Sequence, residues 1–258
     1  MKNWNRIAFI IAWSCFSNVA ISQITIYTVS NAHSHNDYLG QSPFYMAFEK
    51  GFGSIEADVF PVNGTLCVAH SKHEIDTQRT LQRLYLQPLQ KEAGAQKMRK
   101  LNLLIDIKED HKICLSLLIK ELEPLNAYLS TPEQENYITI IISGERPLPA
   151  DYKEHPAFIF FDSDLKSKHT PEQWRRVALV SLPFNKISAW KGNDDLAKKD
   201  EKSVKTVIDN VHQAGKPIRF WAAPDTELSW SWQMKLKADF IGTDKVNELS
   251  DFLNKKND

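Results

Sequence analysis

The chain alternates short apolar runs with longer amphipathic stretches. Residues 24–32 mix β-branched, aromatic and small side chains and predict a first strand. Residues 43–50 predict a short helix with Phe44, Ala47 and Phe48 on one side, closed by Gly51. A second strand is expected over 54–60. Asn63-Gly64 then supplies the positive φ values of a tight hairpin, and 66–69 forms its return strand. Residues 80–99 read as helical in places, broken near Pro88.

Buried parallel strands are expected at 101–107, 137–142, 157–161, 177–181, 217–222 and 239–242, where apolar runs are nearly continuous. Helices are expected between them at 113–122, 171–176 (Thr170 as N-cap), 201–214 and 228–236, with a last one at 246–253. This strand–helix alternation predicts a parallel α/β sheet, and about eight strands predict a (β/α)8 TIM barrel.

The polar residues that break the pattern fall at strand ends. His33-Ser34-His35-Asn36-Asp37 closes the first apolar run, Glu56-Ala57-Asp58 the second, and His70 the hairpin return. In a parallel barrel the loops leaving these ends build the active site. Glu56 and Asp58 are two apart, so they share a strand face. Paired carboxylates repel unless a proton or cation intervenes, and hard oxygen ligands suit Mg²⁺ or Ca²⁺. His35 and His70 are candidate general acid and base, because their pKa lies near working pH. His33 is expected one step deeper than His35, in a supporting role. Asp106 would supply a third carboxylate, and Lys108, on the same face, could neutralise a phosphate oxygen.

Length and composition narrow the class. The 258 residues suffice for one barrel, and 42% hydrophobic with 25% charged residues is an ordinary globular balance. Lys+Arg and Asp+Glu are 32 each, which gives no electrostatic argument for nucleic acid. At the N-terminus, Lys2 and Arg6 precede the apolar stretch 7–16, and Ala20-Ile21-Ser22 offers small residues at a cleavage position. Residues 1–22 therefore predict a signal peptide, leaving 23–258 as a single domain, secreted or periplasmic. Cys15 offers a lipoprotein signal as a minor alternative. Beyond it only Cys67 and Cys114 remain, too few for a disulfide framework.

His35-Asn36-x-Tyr38-Leu39, Glu56-x-Asp58 and His70 together resemble the superfamily of phosphatidylinositol-specific phospholipases C and glycerophosphodiester phosphodiesterases. Asp106-x-Lys108 is similar to the Glu-x-Lys of the glycerophosphodiesterases. The overall pattern looks most like the branch named for altered inheritance of mitochondria protein six. The resemblance implies a PLC-like TIM barrel and a metal-dependent phosphodiesterase. It implies His35 and His70 as catalytic residues and Asn36, Glu56, Asp58 and Asp106 as ligands of one Mg²⁺ or Ca²⁺. Lys108 and Trp221 would bind a small-molecule or lipid-headgroup phosphodiester. Two departures stand out: Asn36-Asp37 replaces the Arg-Gly of typical glycerophosphodiesterases, and Asp106 is shorter than the usual Glu. Two other readings fit some residues. His33-x-His35 also suits an amidohydrolase-type metal pair, and a non-catalytic barrel could bind metal and a phosphorylated ligand without turnover.

Overall fold

A computed structural model describes residues 26–256. The predicted export segment lies outside the described residues. The parallel strands are β1 (Ala32–Ser34), β2 (Ser54–Val62), β4 (Leu101–Ile107), β5 (Ile138–Gly144), β6 (Ile159–Ser163), β7 (Val177–Pro183), β8 (Ile218–Trp221) and β9 (Ile241–Thr243). They hydrogen-bond in the order β8-β7-β6-β5-β4-β2-β1-β9, and a parallel bridge between Arg219 and Phe240 brings the two ends together. The result is a nearly closed barrel of eight parallel strands. The ninth strand, β3 (Thr65–Val68), pairs antiparallel with the end of β2. Asn63 at φ 49° and Gly64 at φ 78° make the turn between them, as the Asn-Gly pair requires.

Helices α1 (Tyr45–Glu49), α2 (Gln87–Gly94), α3 (His111–Glu121), α4 (Pro171–Arg175), α5 (Lys198–Gln213), α6 (Glu227–Leu236) and α7 (Val246–Lys255) cover the barrel. None of the helices among the described residues is long and apolar enough to cross a membrane. Side chains alternate along each strand. Ile55, Ala57, Leu103, Ile105, Ile140 and Ile142 pack outward under the helices in the main core. Leu104, Ile141 and Leu179 form a separate small cluster that plugs the interior beneath the β4–β7 side. Cys67 and Cys114 are buried and free.

Two local expectations need correction. The first strand is shorter than predicted, because Val29–Asn31 form a 3-10 turn and only Ala32–Ser34 join the sheet. The Thr28 side chain accepts from Ser30 N, while Asn31 Oδ1 accepts from Thr28 N. The helix around Pro88 is not broken. A π-helical segment over Gln82–Leu86 runs directly into α2 and absorbs the missing proline donor near the α2 N-terminus.

Candidate functional site

The mouth at the C-terminal ends of the strands holds a cavity of about 410 Å³, lined among others by His35, Glu56, His70, Asp106, Lys108 and Trp221. Glu56 and Asp58 point inward from β2, and their partners Leu104 and Asp106 on β4 are in register with them. Carboxylate oxygens of Glu56, Asp58 and Asp106 all lie within 4.8 Å of one another. Both β2 acids are buried, at 3% and 2% exposure, so each must be paired or hydrogen-bonded.

Glu56 is held by two donors. His33 Nε2 and Arg219 Nη1 each lie 2.8 Å from its Oε2. Arg219 Nη1 also lies 2.5 Å from His33 Nε2, so carboxylate, guanidinium and imidazole form one tight cluster, and His33 Nδ1 lies 2.7 Å from Ser54 Oγ. His33 is fully buried, and burial beside the Arg219 charge pulls its pKa down to about 4, which keeps it neutral. Burial alone would raise the Glu56 pKa, but the Arg219 charge and the His33 bond reverse this and hold it well below the ordinary carboxylate range. Arg219 is fixed in turn by Ser181, whose Oγ accepts from Nε at 3.0 Å.

Asp58 Oδ2 takes three donors: Tyr38 hydroxyl at 2.8 Å, Lys108 Nζ at 2.8 Å and His70 Nδ1 at 3.2 Å. Lys108 also reaches Asp106 Oδ2 at 2.6 Å, so its ammonium bridges two carboxylates. Asp106 Oδ1 is buried without a hydrogen-bond partner. Burial, only partly offset by Lys108, pushes the Asp106 carboxyl up to about 6. Gly144, at φ 67°, leaves the space beside this oxygen open, since a Cβ there would sit 2.0 Å from it. An orphaned carboxylate oxygen, two more acids within reach and a glycine-lined space fit a hard divalent cation.

The two candidate catalytic histidines are anchored through Nδ1. His35 Nδ1 lies 2.7 Å from Asp244 Oδ1, and His70 Nδ1 contacts Asp58. In each case the carboxylate fixes the proton on Nδ1 and leaves Nε2 for exchange with a ligand. Burial lowers the His35 pKa, but the Asp244 bond and the Glu56 and Asp244 charges more than offset it, so the net shift is upward. Asn36, in the left-handed region at φ 49°, donates to Asp244 at 3.3 Å and accepts from Tyr38 at 2.9 Å. Its carbonyl oxygen thus shares the Tyr38 hydroxyl with Asp58. Trp221 is half exposed and stands at the rim between this cavity and a smaller one lined by His35, Asp225 and Asp244.

Asp37 has a structural part here. It is buried and accepts from Ser34 Oγ at 2.9 Å, Phe44 N at 2.6 Å and Tyr85 hydroxyl at 3.1 Å, pinning the loop that carries His35 and Asn36. The far wall holds residues to which the sequence assigned no role. Asp162 accepts from Ser143 Oγ at 2.8 Å, and Arg146 faces both Asp162 and Asp164. Arg219 could have been found as a lone charge inside the apolar run Ile218-Arg219-Phe220-Trp221, because a buried arginine needs a buried partner.

Comparison with known proteins agrees with this architecture. A family model described as an AIM6-like phosphodiesterase domain matches residues 23–98. The altered inheritance of mitochondria protein 6 homolog of Arthroderma benhamiae is 32% identical over 251 residues, covering 82% of this chain and 76% of that protein. The altered inheritance of mitochondria protein 6 of Eremothecium gossypii is 25% identical, covering 90% and 72%. A crystal structure of a glycerophosphodiester phosphodiesterase from Parabacteroides distasonis superposes with TM-score 0.53 at 12% identity, over 90% of this chain and 97% of that one, and shares the barrel fold. With a barrel of this kind, a phosphodiesterase domain match and a relative at this identity over most of both chains, the chain belongs to the altered inheritance of mitochondria protein 6 family.

Proposed function

We propose that this chain is a cation-dependent phosphodiesterase acting on a small-molecule or lipid-headgroup phosphodiester. The observation that carries the reading is the convergence of three carboxylates and two Nδ1-anchored histidines at one barrel mouth. Glu56, Asp58 and Asp106, with Asn36 beside them, would hold one Mg²⁺ or Ca²⁺. Bound there, the cation would neutralise a phosphate oxygen and lower the pKa of an attacking hydroxyl or water. Lys108 adds a positive charge for the phosphate, and Trp221 offers an apolar wall for the group attached to it. One of His35 and His70 takes the proton of the nucleophile through Nε2, and the other donates a proton to the departing alcohol. Asp244 and Asp58 hold the two rings in the tautomer this needs.

The histidine roles are tested by leaving-group dependence. His35→Ala and His70→Ala should each slow turnover of an unactivated diester by roughly 10²–10⁴-fold. A diester with a very good leaving group should partly rescue the variant that has lost the acid, and not the other. Near-full activity of both variants on the unactivated diester would overturn the assignment. For location, we propose export with cleavage before Gln23. The n-region, apolar stretch and small residues of 1–22 support this, as does a family match that begins at residue 23. N-terminal sequencing of the protein from its own cells checks it: Gln23 is expected, and a retained Met1 would contradict it.

A further inference from the structure

Positive side chains already contact the carboxylate cluster. Arg219 donates to Glu56, and Lys108 bridges Asp58 and Asp106. Three carboxylates against the arginine and the lysine that contact them leave one negative charge in excess. On the far wall Arg146 and Lys166 are matched by Asp162 and Asp164. His35 at the rim is matched by Asp244. A phosphodiester anion entering the cavity therefore meets a negative centre and two cations already committed to carboxylates. One added divalent cation turns the centre to a net charge of plus one. It also competes with Arg219 and Lys108 for the same oxygens, so their charges become available at the cavity wall, which both side chains line.

Resting on the reading of this site as a cation-dependent phosphodiesterase centre, we propose that Arg219 and Lys108 are internal counter-ions that make binding ordered: the divalent cation first, the phosphodiester second. Arg219 carries the larger share. Its guanidinium is almost fully buried, is locked by Ser181, and has no acid other than Glu56 at ion-pair distance among the described residues. Among the described residues no other arginine or lysine lies at ion-pair distance from Glu56. Arg219 thus competes with the cation for Glu56, holds that carboxylate aimed inward, and contributes its charge to the phosphate afterwards.

The test uses calorimetric titration of the full chain with Mg²⁺ or Ca²⁺ and with dimethyl phosphate, an unreactive diester. Wild-type protein should bind dimethyl phosphate at least roughly tenfold more tightly when saturated with the cation than in chelator. Arg219→Gln removes one positive charge but still offers hydrogen bonds to Glu56 and Ser181. It should bind the cation roughly tenfold more tightly and show a smaller gain for dimethyl phosphate. Lys108→Gln, at the more open edge of the cluster, should shift both quantities in the same directions, and it serves if Arg219→Gln does not fold. Equal binding of dimethyl phosphate with and without cation would overturn the proposal. So would unchanged or weaker cation affinity in the folded variants. None of these readings depends on turnover. Ordered binding without hydrolysis would retain the counter-ion role and sink the enzymatic one, and hydrolysis without ordered binding would do the reverse.

Discussion

Glu56 and Asp162 face into the same barrel from opposite walls, and both are 3% exposed, yet their carboxyls are shifted in opposite directions. Glu56 lies well below the ordinary carboxylate range and Asp162 above it. Burial pushes both upward, so the difference comes from partners. Glu56 receives two N–H donors at 2.8 Å, one from a guanidinium held in place by Ser181. Asp162 accepts from the Ser143 hydroxyl at 2.8 Å, with the Ser181 hydroxyl and the Arg219 charge also favouring its ionised form, but burial outweighs them. Arg146 stands 3.3 Å from its other oxygen, which receives no hydrogen bond of good geometry. Equal burial thus leaves the two carboxyls shifted in opposite directions, Glu56 down and Asp162 up. The Glu56 wall is where the candidate cation ligands and histidines gather.

Substitutions should separate the two walls by size of effect. Arg219→Met strands a buried carboxylate and should cost the ion-free protein about 3–5 kcal/mol in chemical denaturation, part of it recovered by added cation. A loss below about 1 kcal/mol would mean that Glu56 does not depend on its partner. Gly144→Ala, strained at positive φ and driven against Asp106 Oδ1, should cost about 1–3 kcal/mol and weaken cation binding in the same titration. Asp162→Asn should change stability at neutral pH by no more than about 1 kcal/mol.

The walls should also differ in pH dependence. The contribution of Glu56 is present above its unfolded pKa and is lost as pH falls through its depressed folded value. That of Asp162 runs the other way: its ionised form is disfavoured in the fold, so stability declines as pH rises from the ordinary carboxylate range towards its raised folded value. Denaturation of Asp162→Asn across acidic pH should therefore lack a downward slope that the wild type shows. Identical slopes would remove the contrast.

The Glu56 wall was the more legible one in sequence. Glu56-x-Asp58 and Asp106-x-Lys108 are two-residue spacings, and a strand converts such spacings directly into a shared face. His33-x-His35 follows the same rule, with His33 deep and His35 at the rim. The Asn-Gly hairpin that returns His70 was readable from turn chemistry alone. Arg219, Ser181, Asp162 and Asp244 were not, because each is a single polar residue on a strand or loop distant in sequence, meeting its partner only when the barrel closes. Asp37 was legible as a departure from the glycerophosphodiesterase pattern. Its meaning came only from the fold, where it holds Ser34, Phe44 and Tyr85 together.

The proposed function requires a cation at the carboxylate cluster for phosphodiester turnover. Its most direct test is steady-state hydrolysis of a generic aryl phosphodiester in excess chelator and after return of Mg²⁺ or Ca²⁺, for wild type and Asp58→Asn side by side. Turnover should vanish in chelator, return with the cation in the wild type, and stay at background in Asp58→Asn. Full turnover in chelator, or an undiminished Asp58→Asn, would contradict it.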